Sequence, residues 1–325
     1  MMSPLPDELV IASRGSRLAL RQAEIVAGLV RAAHPSIEVG VRTTTTTGDR
    51  DERPFRSIGG SGLFTTEVER EVLERRADVA VHSAKDLTAE LAAGCAIVCV
   101  PGRAPAQDVV VGGHGRSGEE RLASLPAGAR VGTASMRRRV LVAEARFDVD
   151  IVDLRGNLDT RLDKVARGEM DAAVLAAAGL ERLGHRDAVT SGSLDPTWWV
   201  PAPAQGALAV EAMAERTDLI ELFSALSDAS TASEIVCERA FAARLEGGCS
   251  VPLGCLARVD GDGLVATGFL GAPGGGLSLR DRISGSARDA TALGIDLADA
   301  ILASGGDEVL LELQESDDPV QPSAP

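Results

Sequence analysis

The feature that most restricts the fold of this chain is an alternation of short apolar runs with helical patterns, which occurs twice in its first two-thirds. In the first segment Leu9–Ser13 is a predicted strand, and Ser16 is placed to cap the helix that follows it. In the second segment Arg130–Thr133 and Ile151–Leu154 are predicted strands, each followed by a helix. Continuously apolar runs such as Val109–Val111 are typical of strands covered on both faces. The pattern therefore predicts two α/β units with mostly parallel sheets.

The last third of the chain follows a different pattern. A predicted helix from about Ala232 to Leu245 stops at Gly247 and Gly248, and strand-like runs come after it. This segment is therefore predicted to be a small α+β domain. Residues 316–325 are acidic and contain proline and serine, which predicts a disordered tail.

Composition is informative mainly for what it excludes. The net charge of −15 opposes binding to phosphate backbones and anionic membranes. The N-terminus lacks a charged segment followed by an apolar run, and no uncharged apolar run is long enough to cross a bilayer. The five cysteines show neither metal-ligand nor paired spacing, so we expect reduced thiols and no bound metal. These features predict a cytoplasmic protein without a nucleic-acid or membrane partner.

Arginines stand at several predicted strand-to-helix turns. Arg14 lies between a strand end and a helix start, while Arg137 and Arg138 hold the equivalent place in the second unit, after Thr133 and Ser135. A helix N-terminus beside a guanidinium suits a carboxylate or a phosphate, and the alternative for each arginine alone is a solvated side chain beside a cap. Open α/β sheets bind ligands at the carboxyl ends of their strands, so two equivalent turns favour one cleft for a ligand with many carboxylates. Further candidates are Arg155, Arg161 and Arg182, the last of which could also belong to a surface helix pair.

Two other segments carry reactive side chains. Lys85, one of only two lysines, and Asp86 follow a predicted buried strand, and a carboxylate in an arginine-lined cleft is a candidate acid and base. A loop aspartate that caps a turn is the alternative for Asp86. Cys249 lies on a glycine-flanked loop just past a helix, and glycines allow a ligand or another chain segment to approach the backbone closely. Cys95 and Cys99, in contrast, lie in an apolar run. A spectator thiol is the alternative for Cys249.

Eight segments between about residue 9 and residue 254 can be read together: IASRGSRLAL, GGSGLFTTEVE, AVHSAKDL, VGTASMRRR, LRGNLDTRL, AAGLERLG, PAPAQGALAVE and RLEGGCSVPLG. In this order they resemble the porphobilinogen deaminase (hydroxymethylbilane synthase) family. Each segment alone is a weak signal, and their combination is specific. The chain departs from the family's usual pattern at Ser57 and Ser61, where many members carry lysine, and at Ala134 and Thr88.

The resemblance implies three domains. The first two look like the paired α/β halves of type II periplasmic-binding-protein-like folds around a cleft, and a smaller α+β domain at the C-terminus carries the cofactor. The implied domains are residues 1–105 with 203–224, residues 106–202 and residues 225–315, followed by the tail 316–325. The chain would return to the first domain through Gln205–Glu211.

The resemblance also implies the chemistry. Family members are transferases of tetrapyrrole (porphyrin and haem) biosynthesis that deaminate four porphobilinogen molecules and join them head to tail, with water, into linear hydroxymethylbilane. A dipyrromethane cofactor is held by a thioether on the cysteine that matches Cys249, and the catalytic acid and base matches Asp86. Loss of ammonia leaves a cationic azafulvene, which a nearby carboxylate can stabilise. The expected partner is the small-molecule substrate, and the protein is expected to be a monomer.

The matching site residues fall into two groups. Cofactor binding is implied for Ser83, Lys85, Asp86, Thr133, Ser135, Arg137 and Arg138. Substrate binding is implied for Arg14, Ser16, Gln22, Phe64, Arg155, Arg161 and Arg182.

Two other functions remain open for the same sequence. One is a solute-binding protein for an anionic ligand, built from the same two α/β halves, which the missing signal peptide opposes. The other is a ligand-sensing regulatory module whose C-terminal domain is a partner surface. The acidic charge and the lack of a helix-turn-helix pattern oppose DNA contact by such a module.

Overall fold

A computed structural model describes residues 6–46, 62, 64–245, 251–272 and 277–317 of the protein. A 3₁₀ turn, Ala84–Asp86, directly follows the third strand. The strands are β1 Glu8–Arg14, β2 Glu38–Thr44, β3 Val79–Ser83, β4 Cys95–Cys99, β5 Asp108–Gly112, β6 Arg130–Gly132, β7 Asp150–Val152, β8 Ala172–Ala176, β9 Leu208–Met213, β10 Leu253–Asp260, β11 Gly263–Gly271 and β12 Ser278–Ser286. The helices are α1 Arg17–Ala33, α2 Thr66–Leu73, α3 Gly118–Ala123, α4 Met136–Ala145, α5 Leu158–Ala166, α6 Ala177–Arg182, α7 Arg186–Gly192, α8 Thr217–Ser224, α9 Ala229–Arg244, α10 Ala290–Ile301 and α11 Asp307–Asp317.

The first sheet has the strand order β2-β1-β3-β9-β4. β1 is parallel to β2 and β3, whereas β9 is antiparallel to both of its neighbours. α1 buries Ala23, Val26 and Val30 in the core of this unit, and their spacing of three and four residues places them on one helix face. Because β9 follows the whole second sheet in sequence, the chain leaves the first sheet and later returns to it.

The second sheet has the order β5-β8-β6-β7. β6 is parallel to β7 and β8, and β5 is antiparallel to β8. Its core contains Val131, Leu141 and Val174, together with the fully buried ring of Trp199. The predicted strands of this segment are therefore present, with slightly different bounds.

The two connections between these sheets lie side by side. Ala104 N donates to Gly206 O at 3.2 Å. Gly206 has a φ of 92°, and a Cβ at this position would lie 2.4 Å from Ala104 O, so the close approach requires glycine. The end of β3 adjoins the same place, because Ala84 N donates to Ala207 O at 3.1 Å.

The third sheet, β10-β11-β12, is antiparallel throughout, and α9 and α10 pack against it. Glu238 of α9 fastens this unit to the connections, since it accepts from Arg103 Nη1 at 2.7 Å and from Ala204 N at 2.6 Å. Arg280 of β12 donates to Glu144 of α4 at 2.7 Å. The third unit is therefore attached both to the connections and to the second unit.

The predicted fold class, two α/β units with a smaller α+β domain, is confirmed. The sequence did not predict α11, which extends to Asp317 and so enters the segment expected to be a disordered tail. Residues 318–325 lie outside the described residues, as do Gly247 and Gly248. Within the described part of the chain, no helix combines the length and the apolar character needed to cross a membrane.

Candidate active site

The carboxyl end of β3 holds the candidate acid. β3 is the middle strand of the first sheet, and its last residue, Ser83, leads into the 3₁₀ turn that contains Lys85 and Asp86. Ala84 is buried and anchors this turn through its hydrogen bond to the connection that returns from the second sheet. Lys85 is exposed and Asp86 is half-buried. Both follow the carboxyl end of β3, which is the sheet edge where ligands of open α/β folds bind.

α1 and the end of β1 form one wall beside this turn. Gln22 is buried, and its Nε2 donates to Ser83 Oγ at 2.9 Å, which ties α1 to the end of β3. Arg14 ends β1, and its guanidinium carbon lies 4.4 Å from the ring centroid of Phe64. Ser16 caps α1 by accepting from the N–H of residue 19 at 3.2 Å.

Strand-to-helix turns of the second sheet form another wall. Thr133 follows β6 and is buried, and Ser135 caps α4 by accepting from Arg138 N at 3.5 Å. Arg161, in α5, donates from Nε to Gly156 O at 2.8 Å. These contacts fix the backbone around the positions from which Arg155 and Arg161 extend.

The charges of the two walls act on one another. Desolvation and repulsion by Arg138 lower the pKa of Arg161 to about 10. Attraction to Asp86 opposes this shift, whereas Arg155 and Arg14 add to the repulsion. Arg14 and Asp86 belong to the first unit and the other three to the second, so the two strand edges face one cleft. That cleft holds several cations around one carboxylate.

Arg182 lies at the end of α6, beside the return connection. Its Nη2 donates to Gly206 O at 2.7 Å. Desolvation lowers the pKa of Arg182 to about 10, and attraction to Glu181 opposes the shift. Arg182 therefore adds a further poorly hydrated cation next to the site where the two connections meet.

Lys85 is a cation with an unusual acidity. Desolvation, with repulsion by Arg138, lowers the pKa of Lys85 to about 8. The residue as a whole is nevertheless exposed to solvent. Its Nζ donates to Gln205 Oε1 at 3.2 Å, which holds the ammonium beside Asp86.

The structure places Arg137 and Arg138 beneath the cleft surface. Both are buried, and each donates from Nη2 to an oxygen of Asp108 at 2.7 Å. Their Nη1 atoms donate to the main-chain carbonyls of Val200 and Val174 at 2.8 and 3.0 Å. In this arrangement the terminal nitrogens of both arginines already have protein acceptors, and the two residues act on the cleft through their charge.

Asp108 is the centre of a network that the sequence did not indicate. Trp199 Nε1 donates to its Oδ2 at 2.9 Å, and Gln205 Nε2 donates to its Oδ1 at 2.8 Å. Burial alone would raise the pKa of Asp108, but attraction to Arg137 and Arg138 outweighs burial and holds this pKa well below its usual range. We call these five residues the Asp108 network.

Cys249 lies outside the described residues, as do Ser57 and Ser61. Buried thiols resist ionisation, and the thiolate is the nucleophilic form of cysteine. Burial raises the pKa of each thiol within the described ranges, those of Cys95, Cys99, Cys237 and Cys255. These four thiols are therefore poor candidates for a covalent attachment site. Over the same ranges, no group of three or more His, Cys, Asp or Glu side chains is placed to hold a metal ion.

Comparison with protein families gives two matches that follow one another along the chain. Residues 9–221 match the model described as porphobilinogen deaminase, dipyromethane cofactor binding domain. Residues 232–303 match the model described as porphobilinogen deaminase, C-terminal domain.

Curated relatives extend these matches over nearly the whole chain. Porphobilinogen deaminase of Roseiflexus castenholzii is 44% identical over 305 residues, which are 94% of this chain and 99% of the relative. Porphobilinogen deaminase of Trichlorobacter lovleyi is 39% identical over 95% of this chain and 98% of the relative. Among solved structures, an arginine-specific periplasmic binding protein of Salmonella typhimurium aligns with 70% of this chain and 94% of its own, at 13% identity and a TM-score of 0.40.

Proposed function

The chain belongs to the porphobilinogen deaminase family, and we propose that its cleft is where four porphobilinogen molecules are deaminated and joined head to tail. With water, the product is linear hydroxymethylbilane, and one ammonia leaves with each monomer. The chain is accordingly a transferase of tetrapyrrole biosynthesis, and its first matched region is the family's cofactor-binding domain for dipyrromethane.

The observation that carries this proposal is the electrostatic coupling of Arg161 to Arg14, Arg138, Arg155 and Asp86 across the cleft. Each porphobilinogen ring carries an acetate and a propionate, and guanidinium groups bind carboxylates through paired, charge-assisted hydrogen bonds. One carboxylate among these cations suits a reaction in which positive charge develops on the ring. The charge distribution therefore fits an anionic substrate that becomes locally cationic.

In this proposal Asp86 is the catalytic acid and base. The departing amine takes a proton from the Asp86 carboxyl group, and its departure leaves a cationic azafulvene whose charge the resulting Asp86 carboxylate stabilises. After the α-carbon of the neighbouring pyrrole has attacked, Asp86 accepts the proton that this carbon loses. When bound, the dipyrromethane supplies the first attacking α-carbon, and the cations of the cleft fit its carboxylates.

The remaining site residues hold carboxylates and rings. Arg137 and Arg138 contribute mainly positive charge, because their terminal nitrogens donate to protein acceptors. We assign substrate binding to Arg14, Ser16, Gln22, Phe64, Arg155, Arg161 and Arg182. We assign cofactor binding to Ser83, Lys85, Thr133, Ser135, Arg137 and Arg138, beside Asp86.

We also propose the domain division that the resemblance implies. Residues 1–105 with 203–224 form the first domain, 106–202 the second and 225–315 the third. The membership of β9 in the first sheet supports the return of the chain to the first domain. We expect the protein to work in the cytoplasm as a monomer, which size-exclusion chromatography with light scattering tests.

The tether of the cofactor is the first testable prediction. We expect the intact mass of the purified protein to exceed the sequence mass by two linked pyrroles, and the adduct to map to Cys249. Replacing Cys249 with alanine should abolish the adduct and the consumption of porphobilinogen, because the buried thiols elsewhere do not ionise readily.

Cys99→Ala is the matched control for this experiment, since Cys99 is buried and its thiol is strongly disfavoured as a thiolate. The control should keep both the adduct and the activity. An unmodified protein that consumes porphobilinogen at full rate would refute the tether. Stoichiometric binding of porphobilinogen without turnover would instead favour a solute-binding protein.

A further inference from the structure

A chain of hydrogen bonds leads from the candidate active site into the connection between the sheets. Lys85 Nζ donates to Gln205 Oε1 at 3.2 Å. Gln205 Nε2 donates in turn to Asp108 Oδ1 at 2.8 Å and to Ala106 O at 2.7 Å. Gln205 therefore joins the catalytic turn of the first unit to the buried carboxylate at the start of the second sheet.

We propose that Gln205 is a positioning residue for Lys85, and that Asp108 fixes the orientation of Gln205. This inference rests on the proposed function, because Lys85 matters for catalysis only if the cleft binds carboxylates beside Asp86. It assigns a role to two residues that the site assignments above do not include.

The orientation of the Gln205 amide is determined by its partners. The three acceptors of Nε2 are oxygens that cannot donate, the Asp108 carboxylate and the main-chain carbonyls of Ala106 and Gln107. On the other side, Oε1 faces Lys85 and also accepts from Arg138 Nη2 at 3.4 Å. A rotated amide would place its NH₂ group against two cations, so this side chain has one satisfactory orientation.

The surroundings of Lys85 make it sensitive to this contact. Besides Gln205, the charged groups that face it are Asp86 on its own turn, Arg137 and Arg138 of α4, and Asp108 of β5. The two arginines disfavour the ammonium, and the two carboxylates favour it. Because its pKa lies near 8, loss of one acceptor would leave a large fraction of Lys85 uncharged in mildly alkaline solution.

The low lysine content allows a direct test. The chain has only Lys85 and Lys164, so protein labelled with ¹³C and ¹⁵N in lysine gives two side-chain NMR signals, and Lys164→Arg assigns them. In Gln205→Met, which keeps length but removes both polar atoms, we expect the Lys85 titration midpoint to fall by about one pH unit. In Gln205→Glu one oxygen still accepts from Lys85, and the other must carry a proton to donate to Asp108 in place of Nε2, so the midpoint should stay near the parental value. Lys164 is the internal control and should titrate identically in all forms.

Activity gives a second readout that a purely structural role would not produce. The alkaline limb of the kcat/KM profile for porphobilinogen should move to lower pH in Gln205→Met, together with the NMR midpoint, and should return in Gln205→Glu. Equal Lys85 midpoints in the folded parent and in both variants would overturn the inference. The NMR titration requires no turnover, so failure of the proposed function would be recognised separately by the absence of porphobilinogen consumption.

Discussion

Replacing Asp86 with asparagine is expected to reduce porphobilinogen turnover by about 10²- to 10⁴-fold, the usual contribution of a positioned acid or base. Asparagine has nearly the same shape but can neither exchange a proton nor carry the negative charge that stabilises the azafulvene. The dipyrromethane should remain attached, because the proposed tether lies on Cys249 and not on the catalytic turn. Turnover is measured as porphobilinogen consumption, and retention of the cofactor as intact mass.

The same substitution has an electrostatic consequence that can be measured without turnover. Asp86 now opposes the downward pKa shifts of both Lys85 and Arg161. Once its charge is removed, the Lys85 titration should move to lower pH than its present value of about 8. A shift in this direction would show that the charge of Asp86 acts on Lys85 across the turn.

Asp159→Asn is the matched control, because it makes the same chemical change elsewhere on the surface of the second unit. Asp159 forms an ion pair with Arg17 of α1 at 3.1 Å, and the Arg17 and Asp159 side chains are 66% and 36% exposed. This variant should keep both turnover and the Lys85 midpoint. If Asp86→Asn kept the parental turnover, Asp86 would not be the catalytic acid and base. That result would favour the ligand-sensing regulatory module described above.

Features that depend on sequence neighbours could be predicted well. The sequence predicts Ser16 as a helix cap, and its Oγ accepts from the backbone N–H three residues later. Continuously apolar runs identified strands because a strand covered on both faces has no polar face to alternate with, and this held for Val109–Val111 although β5 is antiparallel to its neighbour β8. Strand-to-helix turns at equivalent points of two units then indicated a shared cleft, because strand ends of open sheets are where ligands bind.

Partners that lie far apart in sequence could not be predicted in this way. Arg137 and Arg138 were interpreted as ligand-facing cations, yet their carboxylate partner precedes them by 29 and 30 residues. Gln205 lies 97 residues from Asp108, in a connection with no periodic pattern. One signal was available: Asp108 directly precedes the apolar run Val109–Val111, and a carboxylate at the start of a buried strand must find partners.

The second large effect is expected at Asp108 itself. Asp108→Asn should lower the free energy of unfolding by about 3–5 kcal/mol, because it leaves two buried guanidiniums without their counter-charge. The carboxylate is fully buried and accepts from Arg137, Arg138, Trp199 and Gln205, so water cannot replace it. Urea titration followed by far-UV circular dichroism measures the change.

The sign of the pH dependence follows from the depressed pKa of Asp108. A carboxyl group with a lower pKa in the folded state stabilises the fold at pH values above its unfolded pKa. This stabilisation is lost as the pH falls from the ordinary value of 3.8 toward the lower folded pKa. The difference in unfolding free energy between parent and Asp108→Asn should therefore be constant near neutral pH and narrow below about pH 4.

The exposed pair of Arg17 and Asp159 again provides the comparison, since removing a solvent-screened partner is expected to cost at most about 1 kcal/mol. If Asp108→Asn were as stable as Asp159→Asn, the buried arginines would have other compensation and the Asp108 network would not support the fold. If Asp108→Asn were strongly destabilised but its unfolding free energy differed from that of the parent by the same amount at every pH, the lost stability would come from packing and not from charge. Only a large loss of unfolding free energy that becomes smaller below about pH 4 identifies Asp108 as the counter-ion of Arg137 and Arg138. Its charge then allows these two arginines to be buried beneath a cleft that binds anions.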